Sequence, residues 1–132
     1  MIQSTHHKQL ALWAADCAER VVGLFEMEHP EDARPREAIQ AARLWEIGKL
    51  TIAEARKFAF AAHAAARGAN TPVAAAAARA AGHAAATAHV ATHAPHAAQY
   101  ALKAKSLATH GNGSERDWQL SRLPTQLRSI LL

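Results

Sequence analysis

Alanine makes up about a quarter of this chain and runs almost unbroken through Val73–Ala91. It is the best helix former because fixing its side chain costs no entropy. β-branched residues are few, only three residues are Phe, and no stretch alternates apolar and polar residues as a strand does. The expected fold is therefore all-α: a compact bundle of about five helices with a short C-terminal helical segment. A length of 132 residues suits one core, so residues 1–132 are read as a single helical domain.

Punctuation residues divide the chain. A first helix over 6–29 ends at Pro30, with Leu10, Trp13, Ala14, Cys17, Val21 and Leu24 on one stripe and Asp16 and Arg20 at its edge. Pro35 opens a second helix over 35–47, stopped by Gly48. Its apolar side is Ala38, Ala41, Ala42 and Trp45. Thr51 and Glu54 have capping-box spacing and start a third helix over 51–67. Thr71-Pro72 starts a fourth over 72–94, and Pro95 kinks it or begins the fifth, over 96–110. Gly111-Asn112-Gly113 breaks that segment. A short final piece over 114–131 has Ser114 and Asp117 as caps. Its Leu123, Leu127, Ile130 and Leu131 either close one end of the bundle or form a patch that could serve as a dimer seam.

Charge and cysteine content narrow the function classes. The net charge is +4, but the fifteen Lys and Arg are scattered. Nucleic-acid binding needs a basic face that neutralises several phosphates together, so no nucleic-acid partner is expected. Cys17 is alone, which rules out an internal disulfide. No basic-then-apolar leader and no membrane-length apolar run is present, so a cytoplasmic chain without a membrane partner is expected.

Six of the nine histidines, His63, His83, His89, His93, His96 and His110, lie between Arg56 and Ser114, where there is no acidic residue. Imidazole titrates near neutral pH and can bind a metal, move a proton or donate to an anion. On the third helix Arg56 and His63 share a stripe with Ile52, Ala59 and Ala66. A charge buried there needs a partner, and Asp16 is the candidate. Two readings follow: a structural pair, or a small polar pocket for a ligand or anion with Arg56, His63, His83, His89 and His93 as its binding residues. Asp16 and His63 are the candidates for acid–base catalysis, which needs a base and a proton path.

His89 and His93 are four residues apart, a spacing that can chelate a divalent transition metal as cofactor. His96 would follow within about 60° on an unbroken helix, although Pro95 intervenes. His83 faces another way, beside Arg79, Ala80 and Thr87. Cys17, in the apolar stripe, reads as inert packing. There is no HExxH, Gly-rich phosphate loop or nucleophile elbow. The balance leans away from an enzyme.

The blocks HKQLALWAADCAERVVGLFE, DARPREAIQAARLW, EARKFAFAAHAAAR, AAGHAAATAHVATHA, YALKA and ERDWQLSRLP occur in this order. Together they resemble the immunity-protein-five-like family of small bacterial helical proteins, over about His7 to Leu127. The resemblance implies an all-helical domain and a protein partner, a toxin that the chain neutralises. Immunity proteins that mask nucleases present an acidic face, and Glu19, Glu26, Glu28, Glu31 and Asp32 on the first two helices would supply it here. A small helical enzyme or a metal- or cofactor-binding protein, built on an inward His/Arg/Asp cluster, is the alternative.

Overall fold

The computed structural model describes residues 4–109, 111 and 113–130. Among these residues there are six α-helices, a closing 3-10 turn and no strand. The helices are α1 (Ser4–Glu28), α2 (Arg34–Glu46), α3 (Ile52–Arg67), α4 (Pro72–Ala86), α5 (His93–Thr109) and α6 (Glu115–Arg122). The 3-10 turn covers Thr125–Ile130.

Local chemistry sets most of the boundaries. Gly48 takes a φ of 78°, a left-handed conformation that costs a glycine little. Its amide donates to the Trp45 carbonyl at 3.0 Å and that of Lys49 to Leu44 at 2.8 Å, a Schellman stop for α2. The Thr51 hydroxyl accepts from the Glu54 amide while Glu54 accepts from the Thr51 amide, completing the expected capping box. Thr71 caps α4 in the same way, accepting from the Ala74 amide at 3.1 Å, with Pro72 at the first helical position. Ser114 makes no side-chain cap; α6 instead carries Glu115 and Asp117 in its first turn, where the helix dipole favours acids.

The fourth helix is shorter than its sequence suggests, ending at Ala86 rather than at residue 94. A continuing helix would offer the Thr87 carbonyl to the Ala91 amide. His7 on α1 donates to that carbonyl instead, and the Thr87 hydroxyl turns back to the His83 carbonyl at 2.9 Å. The chain then turns through 87–92 and re-enters helix at His93, three residues earlier than expected. Pro95 falls in the first turn of α5, where an amide proton has no helical acceptor. The expected end of this helix at His110 lies outside the described residues.

Alanine determines the packing. α4 lies at the centre against α1, α2, α3 and α5, and its buried residues run all the way round: Ala74, Ala76, Ala77, Ala78, Ala80, Ala81, Ala84 and Ala85. Such small side chains let helix axes approach to about 8 Å. Trp13, Phe25 and Leu10 fill the wider spaces.

On α3 the buried face is Ala55, Ala59, Ala62, Ala65 and Ala66, so the stripe expected to be buried is rotated. Ile52, Arg56 and Phe60 face solvent.

The C-terminal segment docks through buried polar contacts. Trp13 Nε1 donates to the Gln119 carbonyl at 2.7 Å, and Gln119 Nε2 donates to the Ala98 carbonyl at 2.9 Å. Arg20 grips Glu115 with two hydrogen bonds, at 3.0 and 2.8 Å. Leu123 and Leu127 are buried, so they close the bundle rather than form a patch. The side chain of Ile130 and all of Leu131 lie outside the description.

A histidine cluster and its cleft

His83, near the C-terminal end of α4, is the hub of an aromatic cluster. Its ring centroid lies 4.9 Å from His63 of α3, 5.2 Å from His93, 5.4 Å from His96 and 5.3 Å from Tyr100, the last three on α5. The Tyr100 and His83 planes differ by only 8°, a stacked pair. His83 Nδ1 and His93 Nδ1 are 3.0 Å apart, so one ring donates its Nδ1 proton to the other.

The helix break at Ala86 creates this contact. On a continuous helix His83 and His93 would point apart, as their sequence spacing suggests; the turn through 87–92 folds α5 back onto α4. Gly82 makes room for the third ring. A Cβ there would come within 2.6–2.8 Å of three atoms of the His63 imidazole.

Among the described residues no carboxylate neutralises these rings. Burial is the main reason that His83 is pushed down to about 3, with His63, His93, His96 and Arg79 adding repulsion. Burial, then Arg79, lowers His63; burial, then His96 and His89, lowers His93. All three are neutral donors and acceptors at pH 7.

A proton held more weakly in the folded state than in the unfolded chain makes folding favourable above the unfolded value of 6.5. That contribution disappears as pH falls from 6.5 toward 3. We therefore expect urea unfolding to show a loss of about 2 kcal/mol between pH 7 and pH 4.5, allowing for solvent screening of half-buried rings. His83→Gln should flatten most of that slope. An equally steep slope in the variant would assign the acid sensitivity elsewhere.

In front of the cluster lies a cleft of about 280 Å³, lined by Arg56, Ala59, Phe60, His63, Ala86, His89 and His93. Four of the five residues expected from the sequence to bind a ligand meet here, and the fifth, His83, supports His63 and His93 from behind. Phe60, 62% exposed, was not anticipated; its place one turn beyond Arg56 was the available signal. The Arg56 guanidinium lies 5.8 Å from the Phe60 ring centre and has no carboxylate partner among the described residues.

Asp16 is not part of this arrangement. It pairs with Arg43 of α2 at 3.1 Å and borders a separate hollow with Glu19, Arg20, Trp118 and Arg122. The expected Asp16–His63 acid–base pair is not formed, and Arg56, being exposed, needs no buried counter-charge. Cys17 is fully buried, and burial pushes its thiol far up, away from the thiolate. His89 lines the cleft from within the turn and His93 from the first residue of α5, rather than both from one helix face. Among the described residues no three His, Cys, Asp or Glu side chains are arranged to hold a metal ion.

The acidic face expected on the first two helices is largely self-neutralised. Arg36 grips Glu26, Arg34 grips Asp32, Arg43 reaches Glu19 as well as Asp16, and Glu28 accepts from the Thr71 hydroxyl. Hydrogen bonds from their arginines hold Glu26 and Asp32 below the usual carboxylate range.

The sequence profile of the family described as "Imm-5 like putative immunity protein" matches residues 1–126. The chain belongs to this family, whose description carries an immunity role. No curated protein and no solved structure matches it. No described helix is long and apolar enough to cross a membrane.

Proposed function

We propose that the chain is an immunity protein that neutralises a bacterial toxin by binding it directly. The family assignment carries this reading. The surface supports it: Ile52, Phe60 and Val90 are 45%, 62% and 38% exposed around Arg56 and the cleft. Aromatic and arginine side chains are enriched at interface anchors, and the exposed Phe60 beside Arg56 is such a pair. The self-paired acids of α1 and α2 make a poorer phosphate mimic, so the cleft side is the face assigned to the partner.

The test is co-expression with the toxin that photo-crosslinking from a benzoylphenylalanine placed at position 60 identifies. The chain should restore growth and form a complex of fixed stoichiometry, and Phe60→Asp should lose both while remaining folded. Growth arrest undiminished by the wild-type chain, together with no complex, would refute the proposal.

A second reading has one observation in its favour, the convergence of Arg56, His63, His89 and His93 on one cleft. In that reading the chain is a small ligand-binding protein or enzyme, with a divalent transition metal at His89 and His93 as one form of it. A catalytic role for His63 would have to proceed without Asp16.

A further inference from the structure

We propose that the cleft is a carboxylate-binding site, which takes an acid group attached to a compact apolar body. The assignment deepens the binding reading by naming what the cleft receives. It rests on that reading only for who carries the carboxylate, because the site can be probed with a free acid.

Its chemistry separates an anion from a cation. The guanidinium of Arg56 lines the cleft with no carboxylate partner among the described residues, and Arg79, outside the lining, lies close enough to His63 to repel its proton. No acid lies between Arg56 and Ser114. A dication entering here would meet the Arg56 guanidinium and no carboxylate among the lining residues, whereas an anion is attracted by that guanidinium.

Hydrogen bonding points the same way. His63, His89 and His93 line the cleft, and an imidazole always carries at least one ring N–H; that of His93 is left for a ligand when His83 supplies the proton of their Nδ1 contact. Bonds from such donors and from a guanidinium to an ionised oxygen are about twice as strong as neutral ones.

The remaining lining, Ala59, Phe60 and Ala86, is apolar and suits the body of the ligand. About 280 Å³ is at the small end of ligand pockets, room for one side chain or one small acid. Two bearers share this chemistry: a free monocarboxylic acid, and an acidic side chain or carboxyl terminus presented by a protein partner.

The probe is phenylacetate, compared with its uncharged isostere phenylacetamide, on the full untagged chain. Ring resonances of His63, His89 and His93 should shift saturably with phenylacetate. The amide should bind about tenfold more weakly, the equivalent of one charge-assisted hydrogen bond. Arg56→Gln should cost a similar factor, and this exposed position leaves folding intact; His89→Ala provides a second surface variant.

Equal binding of acid and amide would overturn the proposal, as would an absence of saturable shifts. Zn²⁺ binding at these imidazoles with no response to phenylacetate would overturn it in favour of a metal centre. If phenylacetate displaces the toxin from the complex, the carboxylate is the partner's. If the acid binds and the complex persists, the ligand is a free acid. Failure of toxin neutralisation alone leaves the phenylacetate result standing, so the two readings fail separately.

Discussion

Replacing Arg20 with alanine is expected to cost about 3 kcal/mol and to loosen α6 from the bundle. Its partner Glu115 is only 3% exposed, and two hydrogen bonds to the guanidinium hold that carboxyl below its ordinary range. Without Arg20 the carboxylate would be left buried and uncompensated. Breaking a buried pair from one side typically costs about 3–5 kcal/mol, and the 40% exposure of Arg20 places this pair at the lower end. The guanidinium also lies 4.0 Å from the centre of the Trp118 ring, so its removal takes away a cation–π contact. Urea unfolding followed by tryptophan fluorescence measures both effects. Arg20→Met combined with Glu115→Gln should recover much of the loss, since that pair leaves no buried charge. A single variant as stable as the wild type would show that solvent already compensates Glu115.

Gly82→Val is expected to destabilise the bundle by about 3 kcal/mol and to displace the His63 ring. The new Cβ would sit 2.6–2.8 Å from three ring atoms, and the His83 ring already packs edge-on against the same imidazole, 4.9 Å between centroids. Overpacking of this kind usually costs about 1–3 kcal/mol, and valine adds branched methyls. Gly82→Ala should be milder, because alanine gains about 1 kcal/mol of helix propensity over glycine and the ring can swing toward the cleft. Urea unfolding together with the His63 ring resonances distinguishes the two outcomes. An unshifted ring in a stable valine variant would mean that α3 moves aside instead.

The sequence revealed more of the helices than of their relations. Thr51 with Glu54, Thr71 with Pro72, and Gly48 act on neighbours a few residues away, so their caps and stops could be read directly. The end of α4 could not, because it depends on His7, eighty residues distant, reaching the Thr87 carbonyl. The orientation of α3 was also obscure. A helix with alanine on every side offers little contrast between faces, so the stripe through Arg56 and His63 seemed inward although Arg56 faces solvent. Asp16 and Arg43 are both long-range choices that periodicity does not encode.

The convergence of the histidines has a chemical signal in the sequence. His63, His89 and His93 stood out as titratable groups among alanines, and three of the chain's elements bring them to one cleft with Arg56. Their arrangement was less legible. The contact between His83 and His93 exists only because the helix breaks where its alanine content favours continuation.

The ion pairs of α1 and α2 also bear on how a partner arrives. Nine of the eleven acids lie in the first 54 residues, and arginines on the same helices answer several of them. Lysines and arginines beyond that point have almost no acidic neighbours in sequence. The first 54 residues set six Lys and Arg against those nine acids and the remainder sets nine against two, so the molecule carries a lopsided field, net negative in the first part of the chain and positive beyond it. Such a field turns an approaching negatively charged body before contact, so encounter rates should drop as ionic strength shortens its reach.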